Sequence, residues 1–201
     1  KAAEWEMPAV AMTDHGNLFG AIEFYKEMQE VGVKPIIGCE VYCAIDSRFS
    51  RKPARGVQSA SNHLVLLAKD SVGYKNLIKL VSAGYLEGFY YSPRIDKELL
   101  RQHAEGLICL SACISGEIPH LIEREGIQAA KEAVSEYQEI FGDDFYLEIQ
   151  RHGIDREARI NPGLIKLNEE MGVPLVATND SHFLGEEDHE AHAALVAIQT
   201  G

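Results

Sequence analysis

Short apolar runs recur along the chain and alternate with stretches in which apolar residues return every three or four positions. Runs of four to eight apolar residues between turn signals predict buried strands, and the 3.6-residue period predicts amphipathic helices. The predicted strands are Ala9–Met12, Pro35–Tyr42, Leu64–Ala68, Leu107–Ser111, Phe145–Ile149 and Leu175–Ala177. The predicted helices are Ala2–Met7, Leu18–Val31, Val72–Ala83, Lys97–His103, Gly126–Ile140, Glu157–Met171 and Asp188–Ile198.

This regular alternation predicts a single α/β domain. Strands that alternate with helices favour parallel strands joined by right-handed crossovers. An open doubly wound sheet and a closed barrel both satisfy that rule. No glycine-rich phosphate loop follows the first strand, which argues against a nucleotide-binding Rossmann fold. Glycines just beyond four helices are expected to adopt a left-handed conformation: Gly32, Gly106, Gly142 and Gly172.

Composition narrows the class of protein. Apolar residues make up 46% of the 201 positions, enough for a substantial core, and no apolar run approaches the roughly 20 residues that span a bilayer. We therefore expect a cytoplasmic protein with no membrane partner. The net charge of −12 is opposite to that of a typical nucleic-acid-binding domain, so any nucleic acid must be held mainly by other parts or by metal ions. We interpret the basic stretch at residues 48–55 as a solvated surface loop.

The four cysteines form two CxxxC pairs, which at first suggest a four-thiolate zinc site: Cys39, Cys43, Cys109 and Cys113. Both pairs lie in apolar runs that predict strands, whereas zinc ribbons hold their ligands on tight turns. Three of the thiols are therefore expected in the core. Cys113, at a strand end, is kept as a candidate ligand.

Candidate chemistry clusters at the predicted strand ends. The side chains concerned are Asp14, His15, Glu40, His63, Cys113, His152, Asp180 and His182. The carboxyl ends of parallel strands meet at one mouth of such a fold. Imidazole, carboxylate and thiolate are ligands for zinc, manganese or iron, so a two- or three-metal hydrolytic centre is predicted. His63 begins its strand, and therefore needs a reversed or offset strand to join the others.

Simpler interpretations exist for several of these residues. Asp14 is placed to cap the helix near Leu18, and His152 to serve as a turn residue. Glu40 is harder to explain without a partner, because a carboxylate inside an apolar strand is costly unless it is paired or bound to metal. The remaining histidines lie among charged residues and are expected at the surface: His103, His120, His189 and His192.

Six segments together resemble the PHP domain (polymerase and histidinol phosphatase) at the N-terminus of bacterial DNA polymerase III alpha subunits. They are AMTDHGNLFG (11–20), KPIIGCEVY (34–42), GYKNL (73–77), GFYYSPRID (88–96), LSACISGE (110–117) and ATNDSHF (177–183). The resemblance implies a distorted seven-stranded (β/α) barrel with a metal cluster at one mouth. The positions that match the family's ligands are His15, Glu40, His63, Cys113, Asp180 and His182, with Glu40 bridging. Asp14 and His152 lie beside this pattern and are expected to orient ligands.

The resemblance also implies a function and partners. It implies two or three divalent ions, zinc first and manganese or iron as alternatives, in a phosphoesterase that acts as a 3′–5′ proofreading exonuclease. The parent protein would be a DNA-directed DNA polymerase (a nucleotidyltransferase) that contacts DNA, a proofreading subunit and a sliding clamp. The alternatives are a structural or subunit-docking domain with a non-catalytic metal site, and a free-standing phosphatase of small phosphate esters.

The sequence departs from the family's pattern at its start. We interpret residues 1–201 as a PHP domain that lacks its first strand, which carries a His-x-His pair, and an Asp that follows shortly after. The polymerase core is likewise not in this sequence.

Overall fold

A computed structural model describes residues 1–51 and 61–200, in which one curled sheet is covered by helices. The strands are β1 (Ala9–Met12), β2 (Lys34–Ala44), β3 (Ser61–Ala68), β4 (Phe89–Tyr90), β5 (Ser92–Ile95), β6 (Leu107–Leu110), β7 (Phe145–Ile149) and β8 (Leu175–Ala177). The helices are α1 (Ala21–Glu30), α2 (Ser71–Leu86), α3 (Lys97–His103), α4 (Glu117–Arg124), α5 (Ile127–Phe141), α6 (Asp155–Met171) and α7 (His189–Thr200). The predicted α/β class is confirmed.

The sheet runs in the order β4-β5-β2-β3-β6-β7-β8, and β1 pairs with the first half of β2. The strands β1 and β2 are parallel, and so are β6, β7 and β8. Their carboxyl ends therefore face one mouth of a half-barrel. Among the described residues β1 pairs only with β2, and β8 only with β7, so the sheet is open between β1 and β8.

The prediction that all strands are parallel is wrong at β3. This strand runs antiparallel to both of its neighbours, with His63 opposite Tyr42 on β2. A parallel pair needs a crossover, usually a helix, and the sequence predicts none between these two strands. The reversal brings the start of β3 to the mouth where β2 ends. His63 can therefore join the other candidate ligands although it begins its strand.

Three local features differ from the prediction. Residues 2–6 form turns and no helix, and the chain leaves them through Glu6, whose φ is +53°. The hairpin β4–β5 and the helix α4 were not predicted because both are short. The proline of α4, Pro119, lies in its first turn, where a missing N–H costs nothing. The four helix-ending glycines do have positive φ, between 57° and 74°.

The main core lies between the sheet and helices α2 to α6. Leu66, Leu77, Leu100 and Val134 are fully buried in it, each contributing about 1.5–3 kcal/mol through loss of contact with water. Cys39, Cys43 and Cys109 are buried there as free thiols, as predicted. Burial raises the pKa of Cys39 and of Cys43 to about 12, so both stay protonated at neutral pH.

The basic stretch is not simply a solvated loop. Arg48 is 8% exposed, and its guanidinium reaches Glu87 at 2.7 Å, Asp96 at 3.0 Å and Glu98 at 3.2 Å. The interpretation is therefore wrong for Arg48, because carboxylates at the end of α2 and at the start of α3 draw the side chain inward. Arg51 is exposed as expected, and the basic residues at 52 and 55 lie outside the described residues.

The concave face of the half-barrel encloses a cavity of about 960 Å³. Apolar side chains of β1, β3, β6 and β8 line its floor, and polar groups line the mouth at the strand ends. No helix within the described residues combines the length and apolarity of a membrane-spanning segment.

Candidate metal centre

Three of the predicted ligands converge at the mouth of the half-barrel. Each of His15, Glu40 and His63 offers a donor atom within 4.8 Å of the other two. Nδ1 of His63 contacts Oε1 of Glu40, and Nδ1 of His15 lies 3.7 Å from the same oxygen. This spacing allows one cation to be shared by an oxygen and two nitrogen ligands.

Backbone hydrogen bonds fix these side chains. Gly16 donates to the carbonyl of Glu40 at 2.9 Å, and Glu40 donates to the carbonyl of Asp14 at 3.1 Å, which extends the β1–β2 pairing to His15. His63 donates to the carbonyl of Ser115 at 3.0 Å, so the start of β3 is tied to the loop after β6. The backbones of the three ligands are therefore held by the sheet: Glu40 lies inside β2, His15 just after β1, and His63 near the start of β3.

The charge balance of the cluster favours a cation. Glu40 is only 4% exposed, and its Oε1 has no hydrogen bond of normal geometry. Burial alone would raise the pKa of Glu40, but the nearby imidazoles of His63, His15 and His182 outweigh it and lower that pKa. Burial alone would lower the pKa of His63, yet the Cys113 thiol and the Glu40 carboxylate raise it to about 10. The ionised carboxylate of Glu40 thus needs positive charge beside it.

Cys113 lies at the edge of the cluster. Its Sγ is 3.8 Å from Nδ1 of His63, and the side chain is half-buried, unlike the other three cysteines. The preceding residue, Ala112, has a φ of +62°, an unusual conformation for a residue with a side chain.

Asp180 and His182 approach from the segment after β8. The His182 ring lies 6.0 Å from that of His15, and both Asp180 and His182 line the cavity. Nδ1 of His182 donates to the carbonyl of Asp180 at 2.8 Å, which leaves Nε2 free to bind a metal. These two residues face the three-residue cluster but do not lie within its 4.8 Å limit. The φ of +43° at Asp180 marks a strained turn.

His152 supports that turn. Its Nε2 lies 2.8 Å from the carbonyl of Asn179, and its Nδ1 lies 2.7 Å from Oε1 of Glu157. Both partners only accept, so the two contacts favour the protonated ring, and the Asn179 carbonyl and the Glu157 carboxylate raise the pKa of His152. Glu157, at the start of α6, is 4% exposed and is a supporting residue that the sequence did not reveal. Asp14 lines the cavity, and its carboxylate makes no described hydrogen bond to a ligand or to the start of α1.

A second buried carboxylate, Glu148 on β7, was also missed. Its Oε1 lies 2.9 Å from Nε2 of Gln150 and contacts the Thr178 hydroxyl, while Oε2 has no hydrogen-bond partner. Burial, Glu40 and Asp180 raise the pKa of Glu148. Glu148 lies near the end of an apolar strand, so the reasoning that singled out Glu40, the cost of an acid inside such a strand, could have found it as well.

The histidines expected at the surface divide into two groups. His189 is exposed, as predicted. His192 is half-buried, and its ring lies 5.5 Å from that of His182. His120 is also half-buried, with Nδ1 2.9 Å from Oδ1 of Asn62, and so is His103. The surface prediction therefore holds for His189 and is wrong for the other three.

Known proteins resemble this chain in sequence over most or all of its length. The sequence profile described as "PHP domain" matches residues 1–152. The DNA polymerase III subunit alpha of Borreliella burgdorferi is 53% identical over the whole chain, and that of Thermus aquaticus is 52% identical over 97% of it. The chain spans only 17% and 16% of the lengths of these two relatives.

One solved structure shares the fold. A Bifidobacterium adolescentis protein, assigned as a metal-dependent phosphoesterase, superposes with a TM-score of 0.52 at 13% sequence identity. The match covers 92% of this chain and 81% of the other. At this identity the likeness concerns the fold alone.

Proposed function

This chain belongs to the PHP domain family, and from that membership we propose that its mouth cluster is a metal-dependent phosphodiesterase site. The observation that supports this proposal most strongly is the buried carboxylate of Glu40 between the imidazoles of His15 and His63. In such a site, divalent cations neutralise charge on a phosphoryl group and lower the pKa of water.

Several side chains of this chain would each supply a ligand to the metal ions. Glu40 offers a carboxylate that can bridge two ions, while His15 and His63 offer one nitrogen each. His63 must first lose the proton that Glu40 and Cys113 stabilise, so cation binding releases a proton from this ring. Cys113, Asp180 and His182 are proposed as further ligands around the same centre. Asp14 and His152 are proposed to orient them, His152 through the turn at Asn179.

The number and kind of ions are part of the proposal. Nitrogen, oxygen and sulfur donors together suit zinc best, with manganese or iron as alternatives, and two or three ions fit a set of six ligands. The gap between β1 and β8 would accept one further strand, which would complete a barrel and bring additional ligands to the same mouth. On this proposal residues 1–201 form most of one PHP domain.

The similarity to polymerase subunits extends the proposal to the parent protein. We infer that this chain is part of a replicative DNA polymerase, in which it would act as a 3′–5′ proofreading exonuclease. DNA, a proofreading subunit and a sliding clamp would be partners of that larger protein, in the cytoplasm.

The test uses the full-length protein that carries this chain, stripped of metal and then resupplied with zinc or manganese. Hydrolysis of a 3′-labelled single-stranded oligonucleotide is measured for the wild type, Asp180→Ala and the exposed control His189→Ala. Activity that returns with metal in the wild type and the control, and not in Asp180→Ala, supports the proposal. Bound metal without hydrolysis in any of the three would instead assign a structural or docking role.

A further inference from the structure

Beside the metal centre, aromatic side chains are turned toward solvent. Tyr85 at the end of α2 is 42% exposed, Phe89 on β4 is 50% exposed, and Tyr91 is 86% exposed. The rings of Tyr85 and Phe89 are stacked 6.2 Å apart at an angle of 27°. We call Tyr85, Phe89 and Tyr91 the aromatic platform.

Tyr91 occupies a position that is unfavourable for it. It is the single residue between the paired positions Tyr90 and Ser92, and it has a φ of +60°. A left-handed conformation costs a bulky residue roughly 1–2 kcal/mol, and glycine or asparagine normally fills such a tip. The Tyr91 ring meets the Tyr90 ring edge-on at 4.6 Å, and because the side chain is otherwise almost wholly exposed, this one contact offsets only part of the cost. The strain therefore points to a use for the ring in contact with something outside the chain.

The platform is continuous with the metal centre. The ring of Tyr42 lies 5.4 Å from that of His63 and 6.1 Å from that of His15. The strand of Tyr42, β2, pairs directly with β5 of the hairpin, with Tyr42 opposite Arg94. Gly84, which precedes Tyr85 on α2, packs against Pro93 of the same β5. The turn after His15 also packs against the hairpin. Gly16 lies so close to Pro93 that a Cβ added at Gly16 would be only 2.8 Å from the proline ring. A ligand extended across the platform would thus reach the metal ligands.

Charge restricts what this ligand can be and how it binds. With a net charge of −12, the chain offers little for extended contact with phosphates. Under the hairpin, however, the buried Arg94 donates to the carbonyls of Gly88, Arg48 and Ser50, and no described carboxylate lies within 4.0 Å of it. Its charge lies 5.1 Å from the Tyr90 ring. A polyanion with flat, stackable groups fits this surface better than one held by its phosphates.

We propose that the aromatic platform stacks the bases of a single-stranded polynucleotide whose terminal phosphodiester lies at the metal centre. The proposal rests on the proposed phosphodiesterase function and names its substrate as a strand of several nucleotides. Stacking on tyrosine and phenylalanine is independent of sequence, because every base has a π-face. A protein partner would also cover exposed rings, but it would not need continuity with the metal ligands.

The test compares two substrates in the full-length protein. One is a hexathymidylate, and the other is thymidine 5′-p-nitrophenyl phosphate, which reaches the metals without crossing the platform. Tyr91→Ala is expected to raise KM for the hexanucleotide roughly five- to thirtyfold, as for the loss of one stacked base, with kcat/KM for the small ester unchanged. Tyr91→Phe and the non-aromatic control Leu86→Ala, at a neighbouring residue that is 85% exposed, are expected to leave both substrates unaffected. Equal losses on both substrates, or no change in Tyr91→Ala and Phe89→Ala, would overturn the proposal.

A second readout does not depend on hydrolysis. An oligonucleotide carrying 5-iodouracil is irradiated with the protein in chelator, and the crosslinked peptides are identified by mass spectrometry. Crosslinks to residues 89–91 are expected, and their absence at saturating oligonucleotide overturns the platform. If the wild type hydrolyses neither substrate, the phosphodiesterase proposal fails, and the crosslink alone decides whether the platform binds a strand.

A third readout separates a binding role from a structural one. Tyr91→Gly removes the ring and also relieves the positive φ, so it is expected to keep or raise the melting temperature while raising KM for the hexanucleotide. A clear fall in melting temperature would show that the Tyr91 ring stabilises the fold, and would count against the proposal.

Discussion

Two buried carboxylates line the same cavity, and their surroundings are opposite. Glu40, on β2, is 4% exposed and lies between imidazoles that lower its pKa. Glu148, on β7, is 5% exposed and meets only an amide and a hydroxyl, so burial dominates and raises its pKa. Two similarly buried acids therefore differ in the form that is favoured. The lowered pKa of Glu40 favours the carboxylate, which can bind a cation, and the raised pKa of Glu148 favours the protonated acid. Burial alone does not identify a metal ligand, whereas the chemistry of the neighbours does.

The largest effect is expected from neutralising the first of these acids. Glu40→Gln preserves shape but removes the charge that would hold the cations, and we expect metal-dependent hydrolysis to fall by at least about 100-fold. The loss is measured with oligonucleotide and metal at saturation in the full-length protein. Retention of most activity would show that the β2 side of the cavity is not the cation site.

Removing the cationic partner should make Glu40 resemble Glu148. In the metal-free protein, His63→Ala leaves a buried carboxylate with one imidazole fewer, which we expect to cost about 2 kcal/mol of unfolding free energy at neutral pH. Urea denaturation checks this. His189→Ala, an exposed histidine outside the cluster, is the matched control and should change stability by less than about 0.5 kcal/mol.

The pH dependence of stability should have opposite signs at the two carboxylates. A lowered pKa means that the contribution of Glu40 is present above about pH 4.5 and is lost as the pH falls. The raised pKa of Glu148 means that its ionisation destabilises the fold increasingly as the pH rises above about 4.5. The stability of Glu40→Gln relative to the wild type should therefore rise as the pH falls toward acid. The stability of Glu148→Gln relative to the wild type should rise as the pH increases toward neutral. Parallel responses in urea midpoints between pH 3 and 8 would contradict the comparison.

In the metal-free protein, His63 should make the free energy of unfolding depend on pH in a third, alkaline range. Its pKa is raised to about 10, so the stability from its charged ring is complete below about pH 6.5 and is lost as the pH rises toward 10. His63→Gln should flatten this alkaline decline. A wild-type protein whose stability does not fall between pH 7 and 10 would show that the ring is not held protonated.

The smallest effect is expected at Glu148. Glu148→Gln keeps hydrogen-bonding groups near Gln150 and Thr178 and removes an acid that prefers to be neutral, so stability at pH 7 should change by no more than about 1 kcal/mol. Calorimetric melting of the metal-free protein measures it. A loss of several kcal/mol would mean that Glu148 is ionised and paired in a way that the described contacts do not show.

The sequence predicted what depends on local pattern and strand ends. The alternation of apolar runs located six of the strands, and His15 does follow the end of one of them, β1. Glu40 also approaches the mouth, but it lies inside β2. The direction of β3 does not follow from its apolar pattern, which is the same in either direction. Two other signs of the reversal are in the sequence: no helix is predicted between β2 and β3, and His63 precedes its predicted strand.

Contacts between distant segments explain the remaining differences. Arg48 is drawn inward by carboxylates 39 to 50 positions away, and His192 meets His182 only because α7 folds back over the turn. Glu148 meets the Thr178 hydroxyl, 30 positions away, so its surroundings depend on a distant segment. Glu157 differs, because its carboxylate accepts hydrogen bonds from the nearby backbone of His152 and Ile154 at the start of α6.

The comparison of the two acids places the proposed cation site on the Glu40 side of the cavity and not on the Glu148 side. The number of zinc ions bound per chain tests this, measured by calorimetric titration of the full-length protein as wild type, Glu40→Gln and Glu148→Gln. We expect Glu40→Gln to lose at least one ion and Glu148→Gln to bind as many as the wild type. Loss of an ion in Glu148→Gln, with full binding in Glu40→Gln, would contradict it.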